Sequence, residues 1–175
     1  FAIPVVLIPA SELGKTGYES KAELDADTIL LSTVERLRRK AAARMGLPDP
    51  AFSVVPKVAL LAAPREGGSI TSRFYVPWNC HVAHSTTGGL CIAAATHIAG
   101  SVAAELATPQ SDDANTVIIE HPSGRRLRAV DHPYLDLLCE LKARPVDHDL
   151  STLQDKERDL AEAFGERAFH AASVT

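Results

Sequence analysis

No apolar run in this chain of 175 residues approaches the roughly 20 needed for a helix to cross a bilayer, so a membrane-spanning helix is excluded. Positive charge is not in excess either. Lys and Arg number 18 against 22 Asp and Glu, a net charge of -4, which removes the electrostatic reason to expect nucleic acid or an anionic membrane as partner. Cysteine is scarce, and Cys80, Cys91 and Cys139 are irregularly spaced. Three thiols cannot all pair within one chain, so reduced thiols in a cytoplasmic protein are expected in place of a disulfide framework. Methionine occurs once, at Met45, and the first residue is Phe1. A longer parent polypeptide is therefore expected. The opening run Phe1–Pro9 lacks the basic start of a signal peptide and reads as a buried strand. Internal repeats and low-complexity segments are missing too. What remains is ordinary for a globular domain with a real core: 46% hydrophobic and 23% charged residues.

The hydrophobic pattern places the elements. Ile3–Ile8 is β-branched and apolar, a strand, and Ser11–Tyr18 is a turn-rich loop. Ala22–Met45 has helical periodicity, with Leu24, Ile29, Leu31, Val34 and Leu37 between charged residues, and Gly46, Pro48 and Pro50 end it. Arg36, Arg38, Arg39, Lys40 and Arg44 make its second half basic, as a solvated face would be. Val54–Ala63 reads as a central strand and Ile70–Val76 as the next. Gly88–Ile98 reads as a helix ended by Gly100, and Val102–Leu106 as a strand. Gln110–Asn115 is a polar turn between that strand and Thr116–Glu120, which is followed by a return strand at Arg126–Val130. Beyond residue 130 the character changes: Tyr134–Ala143 and Ser151–Phe164 look helical. Strands and helices mix without regular βαβ alternation, so the fold class expected is α+β.

The most informative stretch is Arg73–Ile98, RFYVPWNCHVAHSTTGGLCIAAATHI. A polar segment runs through Ser85, Thr86 and Thr87 into Gly88-Gly89 and then an alanine-rich apolar run. This is the pattern of a helix N-terminus able to hold an anion: free backbone N–H groups and the positive end of the helix dipole face one point. Glycines let a ligand approach the backbone. The plainer reading is a buried helix capped by Thr86 or Thr87.

The same stretch resembles the second-half signature of the PrpF-like isomerases, a family whose members isomerise or tautomerise unsaturated polycarboxylates such as 4-oxalomesaconate, 2-methylaconitate and methylitaconate. Other segments resemble the family in the right order: FAIPVVLIPASELGKTGYES at the opening of its second domain, VPKVALLAAP at a central strand, and HPSG at His121–Gly124. The resemblance covers residues 1–130, and 131–175 is a divergent, mostly helical tail. It implies a diaminopimelate-epimerase-like α+β domain, a curved sheet wrapped around a central helix, with the active site between this domain and a first domain that is missing here. The combination of RFYVP, CHVAH and GSVAAELA is closer to the enzymes acting on oxalomesaconate in aromatic degradation. At Gly89 many members carry alanine, a difference expected to loosen the helix start by up to about 1 kcal/mol.

By resemblance, Gly88–Ile98 is the central helix, and Thr87, Gly88 and Gly89 offer N–H groups to a substrate carboxylate, with Ser85 and Thr86 beside them. His81 is implied as a further donor. From the residues themselves, Arg73 on the strand leading in reads either as a bidentate carboxylate contact or as an outward-facing arginine, and Lys57 either as a substrate contact or as a solvated lysine at a strand entrance. The chemistry implied is a proton shift beside carboxylates, with neither metal nor cofactor. The resemblance implies that a lysine and a cysteine of the first domain handle the proton, so no catalytic base is assigned within this chain; Cys80, close to the expected cleft, is a candidate thiol. Cys91, inside an alanine-rich helix, reads as core. His81, His84 and Cys80 do not make a metal site: residues three apart on an extended chain point to opposite faces, and no fourth ligand lies nearby. A paired-cysteine racemase is disfavoured by Thr87 at the helix start. The partners expected are a small di- or tricarboxylate, the first domain and a second copy of the chain. The competing class is a non-catalytic carboxylate-binding module.

Overall fold

The computed structural model describes residues 3–108 and 116–122, together with the backbone of 126–130. It contains a five-stranded sheet in the order β1-β2-β3-β4-β5, formed by Val5–Pro9, Lys57–Ala62, Ile70–Tyr75, Thr116–Glu120 and Arg126–Val130. β1 and β2 run parallel, β2 and β3 antiparallel, β3 and β4 parallel, β4 and β5 antiparallel. The class is mixed α and β.

Two parallel pairs require two crossovers. The first carries α1 (Lys21–Ala26) and α2 (Thr28–Arg44), the second α3 (Thr86–Thr96) and α4 (Val102–Leu106). Crossovers of this kind are right-handed, and β3 runs opposite to β1 while the sheet grows in the same direction. The two helix pairs must then lie on opposite faces. The side chains agree. Leu24, Leu30 and Val34 pack with Ile8, Val58, Leu60 and Tyr75 on one face, and Ile92, Ala93 and Ala103 pack with Ala59, Leu61, Ile70, Phe74 and Ile119 on the other. Each strand divides its residues by alternation. A sheet covered on both faces explains why β2 reads as a continuous apolar run and why every residue of β3 is buried.

The expected helix Ala22–Met45 is two helices. Asp27 breaks it: its carboxylate accepts the Leu30 N–H at 2.8 Å, the N-cap of α2, and takes the Lys15 ammonium at 2.7 Å. Ser20 and Glu23 cap α1 reciprocally. The restart sets the buried stripe at Leu30, Val34, Arg38 and Ala42, and leaves Ile29 exposed.

Arg38 corrects the reading of the basic half of α2 as solvated. It is fully buried. Its guanidinium pairs with Glu35 and donates to the carbonyls of Pro50 (2.7 Å), Ser53 (3.0 Å) and Val55 (3.3 Å), tying α2 to the segment that enters β2. Arg36, Arg39, Lys40 and Arg44 are exposed as expected.

Val102–Leu106 is a helix, not a strand, because Ser101 caps it through the Ala104 N–H at 3.0 Å. The remaining strands fall where the pattern put them. The expected turn at Gln110–Asn115, the two tail helices, Ser123, Gly124 and Cys139 lie outside the described residues. No described helix is long and apolar enough to cross a membrane.

Candidate functional site at the head of α3

The head of α3 begins at Ser85, not at Thr86 or Thr87. Ser85 has extended backbone, its hydroxyl accepts the Gly88 N–H at 3.3 Å, and its carbonyl accepts the Gly89 N–H at 2.8 Å. These two bonds use the third and fourth amides of the first turn. The amides of Thr86 and Thr87 have no acceptor among the described residues, and both residues are exposed. The Thr87 and Ser85 hydroxyls lie 2.9 Å apart. Two amides, two hydroxyls and the positive helix end therefore face solvent together.

Gly88 and Gly89 are buried. Gly88 is small for a reason the sequence did not disclose: a Cβ there would lie 2.5 Å from Cζ of Phe74 and 3.0 Å from its Cδ2. The missing side chain admits the β3 ring, so α3 lies close on the sheet with its head fixed beside the end of β3.

Two histidines flank this head. His84 Nδ1 lies 2.9 Å from the Ser85 carbonyl, which only accepts, so Nδ1 carries the proton. Nε2 then accepts from the Ser72 hydroxyl at 3.0 Å. Its ring packs on Phe74, centroids 5.1 Å apart. Burial pushes the His84 pKa down and so favours the neutral ring; the Ser85 bond opposes this, and His81 and Arg73 add to it. His81 Nδ1 accepts the Ala83 N–H at 3.0 Å. In the neutral ring the proton is then on Nε2, a donor without an acceptor among the described residues.

Arg73 and Cys80 sit on the other face of the sheet, with Leu60 and Tyr75. Arg73 is buried, and its guanidinium reaches His121 Nε2 and, at 3.1 Å, Cys80 Sγ. It is neither an outward arginine nor turned toward α3. Cys80 is buried, and burial raises its pKa against the pull of Arg73, so it is a thiol at neutral pH. Lys57 opens β2 on the same sheet face as Ala59 and Leu61, half-buried, its pKa lowered by burial and by Arg38. Cys91 donates to the Ile3 carbonyl at 3.4 Å, a packed thiol. No cluster among the described residues has the side chains to hold a metal.

The sequence reading missed Lys21, Asp25 and His121. Asp25 accepts the Cys80 N–H at 2.7 Å, and Lys21 donates to the Cys80 carbonyl at 2.8 Å and pairs with Asp25. Only the fold joins residues 55 and 59 positions apart, and no local motif announces them.

Comparison with known proteins gives this arrangement relatives. The family model described as PrpF protein matches residues 1–132. The chain is 44% identical over 123 residues to the "Putative isomerase YbhH" of Escherichia coli (strain K12), covering 70% of this chain and 35% of that protein. It is 42% identical over 122 residues to the 4-oxalomesaconate tautomerase of Pseudomonas putida, covering 70% and 34%. The (4E)-oxalomesaconate Delta-isomerase of Novosphingobium sp. is 37% identical over 122 residues, with the same coverage. Among solved structures, a methylitaconate-delta-isomerase superposes with a TM-score of 0.69 at 21% identity, covering 74% of this chain and 38% of the other. The chain thus spans about a third of the length of the curated relatives it matches.

Proposed function

The chain belongs to the PrpF family, and from that premise we propose that it is the second domain of an isomerase that moves a proton and a double bond in an unsaturated tricarboxylate, with 4-oxalomesaconate as the preferred substrate. The observation that carries the reading is the pair of unfilled amides of Thr86 and Thr87 at the head of a buried helix, joined by the Ser85 and Thr87 hydroxyls. Relatives named as oxalomesaconate enzymes, at 42% and 37% identity, supply the substrate class. The fold is assigned as diaminopimelate-epimerase-like, with α3 as its central helix and a first domain facing it across a cleft.

In this reading a substrate carboxylate lies on the head of α3. A base on the first domain removes a proton from the carbon next to the unsaturated system, and the resulting dienolate carries its charge toward the carboxylates. Donors already in place at α3 stabilise that charge, because they are held by the fold and need no reorganisation. The proton returns at another carbon, so substrate and product are isomers. His81 adds an N–H to the same carboxylate. Arg73 and Cys80, on the opposite sheet face, take no direct part in the proton transfer.

The test is to follow 4-oxalomesaconate and 2-methylaconitate by ultraviolet absorbance with the full protein, its Ser85→Ala variant and its Thr87→Val variant. Turnover of the first substrate, weakened in both variants, is expected. Tricarboxylate binding without turnover would replace the enzyme reading with that of a carboxylate-binding module. No binding and no turnover would overturn both.

A further inference from the structure

Cys80 is held at every polar group it has. Its N–H goes to Asp25 Oδ1 at 2.7 Å, its carbonyl receives Lys21 Nζ at 2.8 Å, and its sulfur receives Arg73 Nη2 at 3.1 Å. Lys21 and Asp25 also pair with each other across one turn of α1. The backbone of Cys80 bridges Tyr75, and the next amide, His81 N, donates to the Phe74 carbonyl. Burial alone would raise the Asp25 pKa, but the bonds from Lys21 and the Cys80 N–H outweigh it and keep the carboxylate charged.

This grip lies midway along a segment whose other ties to the sheet are the bond of the His81 N–H to the Phe74 carbonyl and the His84 ring, which packs on Phe74 and bonds Ser72. From Val76 the chain leaves β3, passes the half-exposed Trp78, and reaches α3 at Thr86 without regular structure. His81, His84 and Ser85 all lie within five residues after Cys80. An extended residue spans at most about 3.6 Å, so a fixed Cys80 confines these groups to a short radius.

We propose that Lys21, Asp25 and Arg73 are positioning residues for the carboxylate site: by clamping Cys80 from the face opposite α3 they fix the segment that presents His81 and, together with the His84–Ser72 bond, the approach to the Ser85–Thr87 donors. The role of Cys80 is that of an anchor, and its thiol does no chemistry. Donors fixed before the ligand arrives cost less ordering on binding, so loss of the clamp weakens binding more than it slows the chemical step. The inference rests on the reading of the α3 head as a carboxylate site.

The test uses Asp25→Ala and Asp25→Asn in the full protein. Readouts are KM and kcat on the substrate turned over, the Kd of trans-aconitate as a probe tricarboxylate, and acrylamide quenching of Trp78, the single tryptophan of this chain. Asp25→Ala is expected to raise KM and Kd about tenfold, the scale of one lost hydrogen bond to a charged group, with kcat little changed and Trp78 more readily quenched. Asp25→Asn keeps an acceptor for the Cys80 N–H and is expected to restore most of the affinity. If Asp25→Ala does not fold, Lys21→Met, at a side chain 40% exposed, carries the same readouts. A rise in KM for Ser85→Ala, with quenching and KM unmoved in the clamp variants, would overturn the positioning role alone. Unchanged binding in Ser85→Ala and Thr87→Val would instead overturn the carboxylate site, while Trp78 would still report whether the clamp orders the segment.

Discussion

The ring of Phe74 occupies the space that a side chain on Gly88 would need. Phe74 is fully buried in the core cluster that also holds Ile92 and Ala93, so the ring has nowhere to retreat. Gly88→Ala should gain in helix propensity, yet the clash decides the sign. A net loss of about 1–3 kcal/mol is expected, the usual cost of overpacking. Thermal unfolding of Gly88→Ala, and of Gly88→Ala with Phe74→Leu, checks it: the double variant should recover much of the loss. Additive losses would mean that Gly88 is glycine for some other reason.

Glu120 is buried and accepts the amides of Arg65 (2.8 Å), Glu66 (2.9 Å) and Gly68 (2.6 Å), together with the Tyr18 hydroxyl (2.9 Å). Gly68 can approach because a Cβ there would lie 2.5 Å from Glu120 Cγ. Burial would raise the Glu120 pKa, but these donors win and hold it below the ordinary 4.5. A carboxyl with a depressed folded pKa contributes stability that is present above its unfolded pKa and lost as pH falls through the folded value. Glu120→Gln should therefore be less stable at neutral pH and lose less than the parent on acidification below 4.5. Glu120→Ala, which leaves three amides unpaired, should cost about 3 kcal/mol or more. Urea unfolding at neutral and acid pH measures both, and an acid dependence unchanged by Glu120→Gln would contradict the assignment.

The parts legible in the sequence are those with a local cause. β1 and β4 follow from β-branched apolar runs, β2 from a continuous apolar run, β3 and β5 from alternation, and α3 from a polar cap before an alanine-rich stretch. What was not legible depends on partners far along the chain. Spacing by four puts Arg38 on one stripe with Leu30 and Val34, but nothing near it says that a guanidinium can be buried there. That follows only once Asp27 restarts the helix and the loop at Pro50–Val55 supplies carbonyls. Val102–Leu106 is five residues long, too short for periodicity to separate strand from helix, and the Ser101 cap decides it. At the candidate site the donors of α3 are readable, but the cap is Ser85, one or two residues before the threonines that the pattern offers. The placement of Arg73 and Cys80 on the face opposite α3 required the strand register.

Arg38 offers a direct measure of that long-range dependence. It is fully buried, and its removal strands the carbonyls of Pro50, Ser53 and Val55. Glu35 would keep Arg39, an exposed partner at 2.7 Å, so the carboxylate is not left alone. Arg38→Met should cost about 2–4 kcal/mol, less than the loss of a fully isolated buried pair. Arg38→Lys should recover little, because an ammonium cannot reach three carbonyls and a carboxylate in the planar fork of a guanidinium. Chemical denaturation checks both. Near-parental stability of Arg38→Lys would mean that charge, not geometry, holds the loop.

His84 links the head of α3 to the sheet through Ser85 and Ser72, and its protonation state is open to direct observation. The Nδ1–H tautomer follows from the carbonyl of Ser85, and burial is the main cause of the lowered pKa. A histidine whose folded pKa lies below its unfolded value of 6.5 contributes stability that is present above 6.5 and lost as pH falls through the folded value. Ring-nitrogen NMR should show His84 as the Nδ1–H form near neutrality, with a titration midpoint below 6.5. Ser72→Ala should leave the tautomer unchanged, since the Ser85 carbonyl fixes it, while removing the donor to Nε2. An Nε2–H ring would mean that the Ser85 contact does not hold in solution, and a midpoint above 6.5 would mean that burial does not govern the ring, since the Ser85 bond by itself raises the pKa.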